Sequence, residues 1–291
     1  MFSGVWTALI TPLKDDKVDY ESLGKLIEFQ YKNGVDGIVP CGSTGESSTL
    51  SHDEHREVVE FCVKQAKGKL KVLAGSGSNS TKEAVYLTEF AKEVGCDGAL
   101  IISPYYNKPT QQGLYLHFKT IADKVDIPII LYNIAGRTAV NIEPETMARL
   151  VKDCRNIVGV KEASGSLDQM SRIKSLSPNI ELISGDDALT LPLLSIGGTG
   201  IISVLSNIVP ADIAALVKSF NSSNIKEAQK IHYKLLPLIK AMFIETNPIP
   251  IKTAASMLGI CGGDFRLPMC AISDANKEKL EKAMQDYGLL K

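Results

Sequence analysis

The sequence has no excess of either charge. Its 32 basic and 33 acidic side chains leave a formal net charge of -1. That balance gives no electrostatic footprint for nucleic acid and no polybasic patch for a membrane surface. No apolar run reaches the ~20 residues that a membrane-spanning helix needs. The six cysteines, Cys41, Cys62, Cys96, Cys154, Cys261 and Cys270, include no C-x-x-C pair. Reduced thiols and a cytoplasmic setting are therefore expected. The opening stretch, "MFSGVWTALITP", lacks a basic region and a cleavage signature and reads as a strand rather than a signal peptide.

Several chemical signatures are missing too. No G-x-G-x-x-G turn follows the first apolar run, where "TALITPLKDD" stands, which argues against an open doubly wound sheet. "GSTGES" lacks the G-x-x-x-x-G-K-[ST] spacing of a phosphate loop. The histidines of "HDEH", His52 and His55, are three apart rather than four and have no evident third ligand, so no metal is expected. No Ser-His-Asp order or paired-carboxylate site stands out.

What is present is an ordinary globular composition, 44% hydrophobic and 22% charged over 291 residues, long enough for a large core. Short Val/Ile-rich runs alternate with stretches of helical period. The strand-like runs are "GVWTALITP", "GIVPCG", "KVLAGSG", "GALIISP", "PIILYNI", "IVGVKEAS", "IELISGD" and "GIISVLSN". Helical stretches between them close on glycine at Gly34, Gly68 and Gly95, a C-cap signal. Strands apolar on both faces, alternating with helices, indicate a parallel sheet covered by helices. Eight such units in roughly 220 residues predict a closed (β/α)8 TIM barrel. Residues 1–223 are assigned to that barrel, and residues 224–291 to a C-terminal helical extension of three helices broken by "TNPIPIK".

In such a barrel all strand C-terminal ends open on one face, where chemistry sits. The second strand runs into "CGSTGE" with Ser43 and Thr44, the fourth into "PYYN" with Tyr105 and Tyr106, and the fifth into "LYNIAGRT" with Tyr132 and Arg137. The sixth, "NIVGVKEAS", ends an apolar run on Lys161. Two readings of Lys161 stay open on that stretch alone. The strand leaves the core there and the stem snorkels to water, or the amine is held inside for chemistry. The convergence of hydroxyls, phenols and an arginine on the same mouth favours the second. A free lysine titrates at ~10.4, so roughly one in a few thousand is a neutral amine at pH 7. Partial burial brings that value down to ~7–8. Such an amine adds to a ketone to form a Schiff base, and a neighbouring phenol, Tyr132, can carry the protons.

The motifs "GSTGE", "PYYNKP", "YNIAGRT", "GVKEASG", "SGDD" and "NPIPIK" resemble those of the dihydrodipicolinate synthase family, which includes N-acetylneuraminate lyase. The resemblance runs the whole chain in family order. It implies condensation of pyruvate with aspartate semialdehyde, the first committed step of the diaminopimelate–lysine route, with no cofactor beyond the covalent Schiff base. It implies that Lys161 forms the imine and that Tyr132 relays protons, coupled through Thr44 to Tyr106 of a neighbouring subunit in a homotetramer. Ser43 and Thr44 would hold the pyruvate carboxylate, Gly185 and Ile202 would line the site with backbone, and Arg137 would receive the second carboxylate. Ser47, Ser48, His52, His55, Asn79, Glu83 and Tyr105 match a cleft that binds L-lysine as feedback inhibitor in some members. Their other reading is ordinary helix-start chemistry, Ser and Asn as caps and Glu favoured by the dipole.

This sequence departs from the family pattern at two places. Ser43 replaces a common Thr and keeps the hydroxyl. Ala135 replaces a common Pro, and a looser loop is expected to shift Arg137. Two rival activities follow. One is an aldolase that cleaves a sialic acid or keto-deoxy sugar acid by the same chemistry, disfavoured because Arg137 suits a short substrate ending in carboxylate. The other is a non-catalytic keto-acid sensor, which would need neither Tyr132 nor Thr44.

Overall fold

The computed structural model describes all residues, Met1–Lys291. Eight parallel strands close into a barrel in sequence order: β1 Gly4–Ala8, β2 Gly37–Val39, β3 Lys71–Gly75, β4 Gly98–Ile102, β5 Ile129–Asn133, β6 Ile157–Glu162, β7 Glu181–Ser184 and β8 Gly200–Ser203. The ring is sealed where β1 pairs with both β2 and β8, Trp6 opposite Gly37 and Ile202. A helix follows each strand: α1 Tyr20–Lys32, α2 His52–Ala66, α3 Thr81–Glu93, α4 Gln111–Lys124, α5 Pro144–Asp153, α6 Leu167–Leu176, α7 Thr190–Ser195 and α8 Pro210–Asn221. The predicted TIM barrel is thus the observed architecture. A small antiparallel hairpin, Leu13–Lys14 with Lys17–Val18, lies after β1 and has no counterpart in the sequence reading. Its two-residue arms are too short to carry an alternation.

Local chemistry explains the boundaries. Asp19 accepts from the Ser22 N–H to start α1, and Ser51 and Glu54 form a reciprocal capping box on α2. Gly34, Gly68 and Gly95 have φ of 76°, 74° and 88°, the left-handed turn that lets α1, α2 and α3 stop.

Two apolar layers hold the barrel. Phe2, Trp6, Val39, Leu73, Leu100, Ile130, Ile183 and Ile202 fill its interior. A larger shell, including Leu131, Val160 and Leu182, lies between strands and helices. Because each strand is buried on both faces, its sequence is continuously apolar rather than alternating. The interior layer is tight: a Cβ on Gly37 would lie 2.3 Å from the Trp6 ring, so the indole occupies that space.

Three further helices, α9 Ile225–Ala241, α10 Ile249–Met257 and α11 Asp274–Tyr287, form the C-terminal extension. They share the outer shell through Leu235, Leu238, Ile251, Ala254, Leu280 and Met284. Helix α10 is buried over most of its surface, Lys252 included. The segment leading into it reaches the barrel mouth.

Candidate active site

Lys161 and Tyr132 are direct partners across the β5–β6 ladder, so their side chains point the same way, into the barrel. Lys161 is only 5% exposed, and its Nζ lies 4.2 Å from the centroid of the Tyr132 ring. Burial pulls the amine down to about 7; the Asp187 carboxylate opposes that and Arg137 reinforces it. Near neutral pH a large share of Lys161 is therefore the free amine. Burial pushes the Tyr132 phenol up to about 12, with Arg137 and the Ser43 hydroxyl drawing it back, so it keeps its proton. Gly185 has a steric reason to be glycine. A Cβ there would meet Ala163 Cβ at 2.7 Å and the Lys161 stem at 3.1 Å. Ile202 is buried in the interior layer on β8.

Thr44 is buried and Ser43 partly so on the loop after β2. The Thr44 hydroxyl accepts from Asn247 Nδ2 at 3.0 Å, and no hydrogen bond joins it to Tyr132. Arg137 donates from Nη2 to the Asn247 carbonyl at 2.9 Å. Residue 247 therefore holds both a hydroxyl and the guanidinium. The expected loosening at Ala135 is not seen. Ala135–Thr138 winds one helical turn, with Thr138 N–H and Ala139 N–H donating to the carbonyls of Ile134 and Ala135. That turn and the Asn247 carbonyl fix Arg137 without a proline. Tyr106 is 89% exposed with φ 73°, a left-handed conformation that is costly for an aromatic residue. Its ring is left almost wholly uncovered by its own chain.

The second cluster surrounds the same opening. A cavity of about 570 Å³ has Ser43, Tyr132, Arg137 and Asn247 on its wall together with Ser47, Ser48, His52, His55, Glu83 and Tyr105. Thr44, Lys161, Gly185, Ile202, Asn79 and Tyr106 are not part of that wall. The Asn79 carbonyl accepts from Asn107 beside Tyr106. Glu83, in the first turn of α3, accepts from Ser78 Oγ and pairs with His52 Nε2 at 2.5 Å. Those bonds, Ser78 foremost, hold its carboxyl below the ordinary range. His55 is buried with Nε2 2.8 Å from the Gly75 carbonyl, and burial lowers its pKa. The two histidines thus have different surroundings although they are three residues apart. No group of three or more His, Cys, Asp and Glu side chains is placed to hold a metal ion. No helix is long and apolar enough to cross a membrane.

Sequence reasoning missed three groups. Asn247 lies in the quoted "NPIPIK" without an assigned role. Asp187, in "SGDD", is buried and accepts from Ser203 Oγ at 2.5 Å and Val204 N–H at 3.0 Å. Glu46 and Lys252 form an ion pair shielded from solvent. The available signal for Lys252 was the one that exposed Lys161, a charge inside an apolar run.

The closed parallel barrel and the polar groups at its mouth define an enzyme of the TIM-barrel class. The chain belongs to the dihydrodipicolinate synthetase family, whose profile matches residues 1–287. A relative named 4-hydroxy-tetrahydrodipicolinate synthase, from Endomicrobium trichonymphae, is 73% identical with all of both chains covered. The dihydrodipicolinate synthase of Cyanidioschyzon merolae, solved with lysine bound, is 44% identical over 99% of both chains with a TM-score of 0.96. The chloride-inhibited enzyme of Acinetobacter baumannii, complexed with pyruvate, is 39% identical over 100% of both chains with a TM-score of 0.97.

Proposed function

We propose that this barrel condenses pyruvate with L-aspartate 4-semialdehyde to 4-hydroxy-tetrahydrodipicolinate through an imine on Lys161. The observation that carries the reading is Lys161 itself, an amine held inside the barrel at about 7 next to the Tyr132 phenol. The neutral amine adds to the pyruvate ketone, and the resulting carbinolamine loses water to give the imine. The imine withdraws electrons, so the pyruvate methyl gives up a proton and becomes an enamine. The enamine carbon attacks the aldehyde, forming one C–C bond and an alkoxide that takes up a proton. The amino group of the second substrate then displaces Lys161 from the imine carbon, closing the ring and freeing the enzyme.

In this reading Tyr132, kept protonated by burial, supplies and retrieves the protons, and Ser43 and Thr44 hold the pyruvate carboxylate. The backbone at Gly185 and Ile202 lines the reacting carbon. Arg137, exposed at the rim and steadied by Asn247, receives the carboxylate of the aldehyde through its planar fork. No cofactor takes part. Tyr106 completes the relay from a neighbouring copy, in a homotetramer or at least a dimer. The uncovered ring and left-handed backbone of Tyr106 support that assignment. L-Lysine binds the cleft around Glu83 as an inhibitor. The lysine-bound relative supports this part of the reading, and the pyruvate complex supports the first substrate.

The test is borohydride reduction in the presence of pyruvate, followed by peptide mass mapping. A lactyl-sized addition on the peptide containing "GVKEASG" is expected. Label on another lysine, or on none, overturns the mechanism.

A further inference from the structure

Behind the reacting pair lies a second, wholly buried pair. Successive strand residues face opposite sides, so Asn133 and Glu162 point outward from the barrel where Tyr132 and Lys161 point in. Both are 0% exposed, and they are ladder partners one step beyond Tyr132 and Lys161. Glu162 Oε2 accepts from Asn133 Nδ2 at 3.0 Å and from Gln169 Nε2 at 3.1 Å, and Oε1 accepts from the Ser164 N–H at 2.7 Å. All three partners are neutral N–H donors, so the carboxylate is held by hydrogen bonds. Asn133 cannot turn over, because its Oδ1 accepts from the Ile142 N–H at 2.9 Å. Asn141 closes the network, bonded to Asn133 and Gln169.

The ladder that carries these residues is irregular. Ile129 pairs with Ile157 but Ile130 pairs with Gly159, so Val158 is an extra residue on β6. A one-residue slip in register sends every following side chain to the other face, which would turn Lys161 out of the barrel. Apolar matching does little to prevent it. Ile157, Val158 and Val160 suit either face of a strand buried on both sides, and only at Gly159 is there a steric check, since a Cβ in its place would lie 2.6 Å from Ile130 Cδ1 and 2.9 Å from the Glu181 carbonyl. The polar pair adds a check at the reacting end of the strand, since a slipped register leaves the Glu162 carboxylate buried without its donors.

From this juxtaposition we infer that Glu162 and Asn133 are positioning residues, a clip on the outer face that fixes Lys161 opposite Tyr132 on the inner one. The inference rests on the Lys161 imine reading for its functional consequence. The clip has a defined polarity, which makes it testable by reversal. In Glu162→Gln the new amide places a donor against Asn133 and Gln169 or against the Ser164 N–H. Combining it with Asn133→Asp moves the carboxylate to the neighbouring strand. The carboxylate placed at position 133 still accepts from the Ile142 N–H. It now also accepts from the amide placed at position 162, while the Asn141 and Gln169 amides flip to match.

The experiment compares wild type, Glu162→Gln and the double variant Asn133→Asp with Glu162→Gln. It measures kcat, KM for pyruvate, the rate of borohydride-trappable imine formation and circular dichroism. A misplacement of about 1 Å costs roughly a hundredfold in rate. The single variant is therefore expected to lose at least tenfold in kcat and trapping rate, with a smaller change in KM. The reversed pair is expected to recover most of that loss. A purely structural role would change the melt without the kcat loss or its recovery. Wild-type rates in a folded Glu162→Gln, or a folded double variant as slow as the single one, overturn the inference. If Glu162→Gln does not fold, the double variant decides alone: folded and active supports the clip, while inactive or unfolded overturns it. Absence of label on Lys161 in wild type would instead refute the imine reading.

Discussion

Lys252 and Glu46 form an ion pair of 2.6 Å, their side chains 0% and 2% exposed. The pair joins α10 of the extension to the loop that holds Ser43 and Thr44, with Glu46 itself left-handed at φ 54°. Burial lowers the Lys252 amine and Glu46 pulls it back up. Breaking a buried pair by removing one partner costs about 3–5 kcal/mol, because the other charge is stranded. Lys252→Met is therefore expected to lower thermal stability by that order and to reduce kcat through the loosened loop. Adding Glu46→Gln to Lys252→Met should make the protein more stable than the single variant. A melting curve for Lys252→Met that overlays wild type would sink this account.

The titration of Lys161 sets a pH dependence whose sign follows from its value of about 7. If Lys161 forms the imine as proposed, only its neutral amine attacks the ketone, so kcat/KM for pyruvate should fall about tenfold per pH unit below that value and level off above it. Asp187 raises the Lys161 value, so Asp187→Asn should shift the acid limb to lower pH. The same shift affects stability. The native state gives up the Lys161 proton before the unfolded chain does, so this residue's destabilising effect is largest below about 7 and fades as pH rises toward the ordinary 10.5. An acid limb centred above about pH 9, beyond the range that burial allows here, or one moved upward by Asp187→Asn, would contradict the assignment.

If Tyr106 serves a neighbouring copy, two inactive variants should complement each other. In a hybrid dimer of Tyr106→Phe and Lys161→Ala, one site has both an intact Lys161 and a donated Tyr106. Random pairing of symmetric dimers then predicts about a quarter of wild-type activity. Mixing after mild dissociation, with hybrid formation verified by mass, tests it. Verified hybrids without activity would mean that each site is complete within one chain.

The barrel was legible because its strands are buried on both faces and its helices carry capping chemistry, signals that are local in sequence. Lys161 was legible for a related reason: a charge ending an apolar strand conflicts with its surroundings. The contacts made by Asn247 were not legible. They lie 203 residues from Thr44 and 110 from Arg137, and a surface asparagine before a proline looks the same as a buried one. The pairing of Glu46 with Lys252 spans 206 residues and was hidden likewise. The steadiness of Arg137 was misjudged because the family's proline was treated as its anchor. The structure replaces it with a helical turn and a distant carbonyl. Asn133 and Glu162 each sit in a quoted motif, but only the ladder register shows that they meet.

Glu83 is the acidic group on the wall of the shared cavity nearest the two histidines, already bonded to His52 and Ser78. A lysine ammonium bound there exchanges an exposed histidine partner for a full cation, which suits a carboxylate held ionised. Because Tyr132, Arg137 and this cluster line one cavity, an occupant need not act over a distance. Under the proposed function it would crowd the rim assigned to the second substrate and restrain Tyr105, the neighbour of Tyr106. A charged hydrogen-bonding partner is worth about 1.5–3 kcal/mol, so Glu83→Ala should weaken lysine binding roughly ten- to a hundredfold by calorimetry. Its initial rates should correspondingly resist lysine. Linkage adds a second requirement: any factor by which lysine weakens pyruvate binding must appear when pyruvate weakens lysine binding. Wild-type rates unchanged by millimolar lysine would remove the regulatory role and leave Ser78, His52 and Glu83 as the start of a helix.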